Sequence, residues 1–292
     1  MASPTPVWFI TGASSGFGHE IALSALRRGH VVVATARNPD KIKDLQDAGA
    51  DTLAFDVTAA VPEIEAVARL VNSKYLRVDY LVNAAGYMLE AAVEEATPEG
   101  VHANFNTNVY GTMNTIRAFL PFLRVQTLGS NGRRSNVVTF GSLGSWQGGA
   151  SYAVYAMTKS CASSLAQSLR PELKPFLIDV IVIEPGYFRT GFLNPGARVS
   201  AANRIDAYDD ESTPSGQLRM ALKSTDGNQP GDVEKGAEVC VDVLTRTGVA
   251  QGRELPPRLV LGSDCVGVIR EQCGATLTLL DQWDSIFKST DY

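Results

Sequence analysis

The chain has 292 residues, 45% of them hydrophobic, and a formal net charge of -5. That length suits one large α/β domain with an ample core, and the acidic balance offers no electrostatic attraction to nucleic acid or to an anionic membrane surface. Cys161, Cys240, Cys265 and Cys273 fall late in the chain at no metal-like spacing, the start MASPTPVWFITG carries no secretory pattern, and no apolar run is long enough to span a bilayer, so a reduced, cytoplasmic protein without a metal site is expected.

In chain order, short β-branched runs alternate with helical patterns. The first strand, Val7–Thr11, runs into Thr11-Gly12-Ala13-Ser14-Ser15-Gly16-Phe17-Gly18 and then a helix over His19–Arg28. Glycines there permit a tight turn and close backbone approach, and the free amides of a helix start attract a pyrophosphate. The spacing is G-x-x-x-G-x-G rather than G-x-G-x-x-G; the place between first strand and first helix is what favours a dinucleotide over a mere tight turn. The second strand, Val31–Ala36, ends on Arg37 and Asn38. An NAD site puts a carboxylate near this point for the ribose hydroxyls, whereas an NADP site omits it and supplies an arginine for the 2′-phosphate. A guanidinium grips phosphate bidentately and stacks on adenine, with Asn38 or Lys41 in reach to share the load.

A helix follows Asp40 and stops at Gly49, and strands are expected over Thr52–Phe55 and Tyr80–Asn83. A long helix over Glu99–Leu123, with Pro121 near its end, precedes a strand over Asn136–Phe140. Another long helix, Ser151–Leu173, precedes strands over Ile178–Glu184 and Arg258–Leu261. Gly191 to Gly231, rich in Asn, Ser, Asp and Gly, is long for a connection inside a domain and reads as a lid or binding segment, about residues 187–231. Apolar residues at helical spacing predict a closing C-terminal helix, about residues 265–289, for packing or subunit contact. The whole chain, 1–292, therefore reads as a single α/β domain of doubly wound Rossmann type, with about seven parallel strands and helices on both faces.

The chemistry concentrates between Phe140 and Cys161. If the chain is helical from Ser151, Tyr155 and Lys159 lie one turn apart on one face. A positive charge beside a phenol favours phenolate, lowers its pKa from about 10 and makes it a usable acid or base. Ser142, at the end of a strand, places a hydroxyl at the carboxyl edge of the sheet to hold a substrate oxygen. Alone, a Tyr-x-x-x-Lys pair is most often a solvated surface pair, so the rest of the chain has to supply the context.

It does so by resemblance. TGASSGFG, Asp56-Val57, Asn83-Ala84-Ala85-Gly86, the set Asn108, Ser142, Tyr155 and Lys159, and Pro185-Gly186-Tyr187-Phe188-Arg189-Thr190 occur in the order found in short-chain dehydrogenases/reductases, which the sequence resembles over nearly its whole length. Ala84 replaces the usual second asparagine, and Thr158 stands where serine is common; neither removes a group the mechanism needs. The resemblance implies NADP(H) bound by Gly12, Ser14, Ser15, Phe17 and Gly18 at the pyrophosphate, and by Asp56 and Val57 on the adenine side. Asn83, Ala84 and Gly86 line its path, and Pro185, Gly186, Phe188 and Thr190 hold the carboxamide. Ala36 stands where the family's NAD enzymes usually carry aspartate, which with Arg37 implies NADP. Tyr155 is then the general acid/base and Ser142 holds the substrate oxygen. Lys159 lowers the tyrosine pKa and bonds the nicotinamide ribose, and Asn108 holds a water that refills the proton supply. The family's use of the two long helices implies a homodimer or homotetramer.

His19, His30 and His102 are too scattered for a metal site, and Ser14 and Ser15 lack a partner histidine. Glu90, Glu94 and Glu95 read as a solvated acidic face. Met88, Leu89, Trp146, Tyr187, Phe188, Phe192 and Leu193 follow motifs that end near the nicotinamide, so an apolar pocket for a bulky ketone or alcohol is expected, although such aromatics are as often core. The leading expectation is a carbonyl reductase. A cofactor-binding sensor or scaffold, and alcohol oxidation, epimerisation or dehydration on the same scaffold, stay open.

Overall fold

A computed structural model describes residues 4–194 and 197–292. The strands are β1 (Val7–Thr11), β2 (Val31–Ala36), β3 (Asp51–Ala54), β4 (Tyr80–Asn83), β5 (Met88–Glu90), β6 (Ser135–Phe140), β7 (Ile178–Pro185), β8 (Arg198–Ser200) and β9 (Arg258–Leu261). Seven of them form one parallel sheet in the order β3-β2-β1-β4-β6-β7-β9. Runs such as Val-Trp-Phe-Ile-Thr and Val-Val-Val-Ala-Thr-Ala carry no polar alternation because a parallel sheet is covered on both faces. The order reverses between β1 and β4, which sets a crevice at the carboxyl ends of those strands.

The helices are α1 (Gly16–Arg27), α2 (Lys43–Asp47), α3 (Val61–Tyr75), α4 (Pro98–Phe105), α5 (Thr112–Leu123), α6 (Ala153–Leu173), α7 (Asp206–Asp209), α8 (Pro214–Thr225), α9 (Val233–Thr245) and α10 (Ser263–Lys288). Ile21, Ala22 and Ala25 of α1 pack with Ala237, Cys240, Val241 and Leu244 of α9 on one face of the sheet. On the other face, α3, α5 and α6 bury Ile64, Ala68, Ile116, Phe119, Ala166 and Leu169.

The structure departs from the sequence reading in several places. The first helix begins at Gly16, inside the glycine turn, and the third strand one residue early, at Asp51. The expected Glu99–Leu123 helix is α4 and α5 joined by a π-helical stretch, Asn106–Gly111. Two causes are visible. A Cβ at Gly111 would lie 2.8 Å from Val57 Cγ2, so the chain passes tight against the neighbouring loop. The hydroxyls of Thr112 and Thr115 also donate to Asn108 O (3.1 Å) and Gly111 O (2.8 Å), satisfying carbonyls in the widened turn.

The stretch expected to be irregular holds β8, α7 and α8; Pro195 and Gly196 within it lie outside the described residues. Strand β8 pairs in parallel with β5, and Thr213 caps α8 by accepting from Gly216 N (3.1 Å), with Pro214 in the first turn. Glu90 and Glu95 are not solvated but buried. Glu90 binds Arg204 (2.9 Å), Arg219 (3.2 Å) and Arg198 (3.6 Å), and Glu95 binds Arg219 and accepts from Ala92 N (2.8 Å) and Ile205 N (3.0 Å). These carboxylates dock the returning segment onto the body. Only Glu94, accepting from the Tyr208 hydroxyl at 2.8 Å, is exposed as expected.

Candidate active site

A cleft of about 730 Å³ opens at the switch point. Its floor is the turn between β1 and α1. Gly12 has φ +67°, and a Cβ there would lie 2.7 Å from Ala85 Cα; one at Gly18 would lie 2.6 Å from Gly12 O. Only glycine fits either place. Ser15, the N-cap of α1, makes no side-chain cap, and the first turn carries no acid, whereas Thr97, Thr213 and Asp232 cap α4, α8 and α9. The first amides of α1 are thus left for an external anion. The open cradle and its donors fit a dinucleotide pyrophosphate, with Ser14, Ser15 and Phe17 on the cleft wall.

At the far end of β2, Arg37 stands exposed with no ion pair among the described residues, and Lys41 lines the cleft beside it. Asn38 does not line the cleft; its Oδ1 accepts from Asp40 N at 2.9 Å, capping the turn that follows. Asp56 also lines the cleft, but its carboxylate is turned onto its own loop by Thr58 N (2.8 Å) and Thr58 Oγ1 (2.7 Å). Val57, Ala84 and Gly86 line the wall; Asn83 does not. Its Nδ2 donates to Val138 O at 3.0 Å, stapling β4 to β6 behind the cleft.

Opposite the cradle, Pro185, Gly186, Phe188 and Thr190 close the cleft. Tyr187 N donates to Asp264 Oδ2 (2.6 Å), and a Cβ at Gly186 would collide with that carboxylate. Phe188 stacks edge-on against Phe17, with centroids 5.0 Å apart, tying this segment to the glycine turn.

Tyr155 and Lys159 lie on the buried face of α6, facing Ser142. Ser142 Oγ accepts from Gly144 N (3.1 Å), which leaves its proton free for another acceptor. Lys159 Nζ donates to Phe140 O (3.0 Å) and lies 5.6 Å from the Tyr155 ring centroid. The net shift of the tyrosine pKa is upward rather than the expected lowering. Burial pushes the phenol up to about 12 against the opposing effect of the Ser142 hydroxyl, and burial brings the ammonium down to about 8. Both shifts share their largest cause: a closed, low-polarity site disfavours each charge, and the ammonium spends its bond on a carbonyl rather than on the phenol.

Asn108, in the π-helical stretch, is buried behind the cleft. Its Oδ1 accepts from Tyr87 N (3.0 Å), and its Nδ2 donates to Tyr87 O (2.9 Å) and to Thr158 Oγ1 (3.0 Å). The side chain is a brace between the loop after β4 and α6: both Nδ2 protons are spent on it, and one acceptor position of Oδ1 remains for the expected water. Thr158 passes the brace on by donating to Tyr155 O at 2.7 Å.

The apolar end of the cleft is formed around Tyr155 by Met88, Leu193 and Leu222, with Tyr152, Phe192 and Leu218 packed against them. Tyr187 also lines it, but two residues expected here do not. Leu89 packs with Ala91 and Val154, because alternate residues of β5 face opposite ways, and Trp146 turns away to donate from Nε1 to Glu184 Oε2 at 3.0 Å. Sequence reasoning missed Tyr152, Leu218, Leu222 and Gln229; the Thr213-Pro214 helix start followed by Leu218 and Leu222 at i, i+4 is a signal that finds the middle pair. The histidines stay outside, His19 bonding to Asp44 (2.6 Å) and Glu20 (2.8 Å), and no metal-holding cluster occurs among the described residues. A phenol proton, a serine hydroxyl and a cation therefore converge where an anion cradle meets an apolar chamber, which is the set needed to exchange a proton with a substrate oxygen.

The comparisons with known proteins agree with this geometry. The short chain dehydrogenase family profile matches residues 6–198, from β1 to the first residue of β8. Oxidoreductase BOA17 of Botryotinia fuckeliana is 30% identical over 90% of this chain and 90% of its own length. A 3-ketodihydrosphingosine reductase of Bacteroides thetaiotaomicron is 34% identical over 63% of this chain and 64% of its own. The crystal structure of a short-chain dehydrogenase from Streptomyces avermitilis covers 100% of both chains with a TM-score of 0.86 at 32% identity. With the glycine turn, the Ser142-Tyr155-Lys159 set and the segment after β7 all inside the matched region, the chain belongs to the short-chain dehydrogenase/reductase family of oxidoreductases.

Proposed function

We propose that the chain is an NADP(H)-dependent carbonyl reductase that converts a bulky, largely apolar ketone into its secondary alcohol. The observation that carries this reading is one continuous cleft, with Arg37 at one end, the uncapped start of α1 between, and Tyr155 set in an apolar chamber at the other. Gly12, Ser14, Ser15 and Gly18 hold the pyrophosphate and Arg37 the 2′-phosphate of NADPH, which when bound supplies the hydride. Tyr155, whose phenol is pushed up to about 12, keeps its proton at neutral pH and donates it to the substrate oxygen. Ser142 Oγ donates a hydrogen bond to the same oxygen as charge grows there. Lys159, 5.6 Å from the ring centroid, stabilises the phenolate left behind. Asn108 acts by position, fixing Tyr87 and Thr158. The Bacteroides relative is named for a keto reduction, which supports the direction.

Initial rates with NADPH and with NADH over a panel of bulky ketones test the reading. NADPH should be strongly preferred, and Arg37→Ala should weaken NADPH binding by roughly 1.5–3 kcal/mol, the range for a charge-assisted bond, while leaving NADH unchanged. Equal use of both cofactors refutes the cofactor assignment, and no turnover with any ketone refutes the reductase assignment. Exposed Tyr110 and Met113, together with exposed Met157 on α6, fit a subunit interface of a homodimer or homotetramer, checked by light scattering. Free cysteines at Cys161, Cys240, Cys265 and Cys273 fit the reducing cytoplasm.

A further inference from the structure

Several buried side-chain atoms have no hydrogen-bond partner among the described residues: Ser24 Oγ, Tyr75 Oη, Asn83 Oδ1, Asn104 Oδ1, Ser151 Oγ, Gln229 Oε1 and Arg246 Nε. Of these residues, Gln229 lines the main cleft. The residue is 3% exposed, and its Oε1 is withdrawn from water without a protein partner among the described residues. That arrangement costs about 1–3 kcal/mol if nothing else satisfies it, and buried polar groups of this kind are normally paired.

The local chain is built to keep Gln229 there. Upstream, Asn228 N donates to Thr225 O (2.8 Å) and Asn228 Nδ2 to Ser224 O (3.1 Å), closing the end of α8. Downstream, Gly231 N donates to Tyr187 O (3.0 Å) and Arg189 N to Gly231 O (2.8 Å). A Cβ at Gly231 would lie 2.7 Å from the Phe188 ring, so the backbone runs flush against that aromatic. Gln229 is thus clamped on both sides in the cleft that Leu218, Leu222 and Phe192 also line.

Resting on the reductase reading above, we infer that Gln229 is the specificity group of the chamber: its amide hydrogen-bonds a second polar group, a hydroxyl or carbonyl remote from the reacting ketone. The substrate class is then an oxygenated, bulky ketone rather than a plain hydrocarbon ketone. An amide supplies both a donor and an acceptor, and a site that hydrogen-bonds a substrate group discriminates against analogues lacking it, because its own buried group is then left unpaired.

The test uses the full chain with NADPH, trans-2-decalone, and decalones carrying one hydroxyl at successive positions of the far ring. At least one hydroxylated ketone should surpass the parent by about 10- to 100-fold in kcat/KM, mainly through KM, the scale of one buried hydrogen bond. Gln229→Leu should erase that preference while leaving turnover of trans-2-decalone and the Kd of NADPH within about twofold. Thermal stabilisation of the NADPH complex by each ketone provides a readout independent of turnover. If the wild type gains nothing from any hydroxyl in that binding assay, or if Gln229→Leu keeps the preference, the assignment fails. A loss of NADPH affinity in Gln229→Leu also overturns it, since the amide then reads the cofactor. Ketones that bind with this selectivity but are never reduced would sink the reductase reading and leave the role of Gln229 supported.

Discussion

Arg219→Met should loosen the segment that walls the substrate chamber without disturbing the cofactor half. Helix α8 has two working edges: Leu218 and Leu222 enter the chamber, while Arg219 turns inward to Glu90, Glu95 and Asp209. Methionine keeps most of the volume but none of the charge. Glu90 retains Arg204 at 2.9 Å and Arg198 at 3.6 Å, whereas Glu95, fully buried, loses its sole ion-pair partner among the described residues. Stripping one partner from a buried pair costs about 3–5 kcal/mol; with Ala92 N and Ile205 N still donating to Glu95, the lower end applies. About 3 kcal/mol is roughly a hundredfold in the opening equilibrium of α8.

Because the network ties a returning segment to the body, the loss falls on local opening rather than on the sheet. Hydrogen exchange in Pro214–Thr225 should quicken roughly a hundredfold while β4 and β6 stay protected, the KM for ketone should rise, and the Kd of NADPH should hold. Glu95→Gln in the same chain should recover part of the loss, a coupling read by a double-mutant cycle. The pH dependence has a definite sign. Burial opposes the Glu95 charge, but the Ile205 and Ala92 amides and Arg219 hold its carboxyl below its usual 4.5. Its contribution is therefore present above about pH 4.5 and lost as the pH falls below that. Unchanged exchange and unchanged KM in Arg219→Met would refute the docking role.

Tyr155→Phe should bind NADPH as the wild type does and lose at least about a hundredfold in kcat, the scale of general acid catalysis; near-native turnover would remove it from the mechanism. Reduction should be level through neutral pH and fall as the pH climbs past about 8, where Lys159 gives up its charge, while oxidation of the alcohol should rise with pH as the phenol proton is drawn off. A reduction rate that increases from pH 8 to 10 contradicts this. Lys159→Met should cost both turnover and NADPH affinity. In denaturant melts, the wild type should gain stability on this variant as the pH rises from about 8 to 10.5, since there the unfolded chain holds a proton that the folded one has shed. A pH-independent gap would show that the lysine is not held in a charge-disfavouring site.

Strands and helices were readable where a single period dominated. Val31–Ala36 and Ile178–Glu184 are largely buried on both faces, and runs rich in β-branched residues say so. The π-helical stretch was not readable, because what widens it is the approach of Gly111 to Val57 and the bonding of the Thr112 and Thr115 hydroxyls to its carbonyls, neither visible in a helical pattern. The burial of Glu90 and Glu95 was hidden for a related reason: their arginine partners lie 114 and 124 positions further along the chain. The catalytic set was legible as residues but not as electrostatics. Spacing put Tyr155 and Lys159 on one face, yet the sign of the phenol shift depends on how deeply both are buried and on the Phe140 carbonyl that takes the ammonium's hydrogen bond.

The same distinction separates the two halves of the cleft. On the catalytic side one buried carboxylate, Glu184 at the end of β7, gathers the parts. Trp146 Nε1 reaches its Oε2 at 3.0 Å from the turn that carries Ser142, Ser163 Oγ reaches its Oε1 at 2.6 Å from the helix that carries Lys159, and Arg258 joins from β9 while lying 4.8 Å above the Trp146 ring. The next residue, Pro185, opens the segment that closes over the cradle. Serine, tyrosine, lysine and the cofactor-facing segment are thus referenced to a single interior point, which gives the angular precision that proton transfer demands. The substrate side has no such tie to the sheet. Helix α8 is held through Glu90, Glu95 and Asp209, charges whose partners all sit on or beside the returning segment, so its position can change without moving the phenol. On the proposed reading, chemistry is fixed by the sheet, and the choice of substrate rests on a segment that changes in sequence can reshape independently.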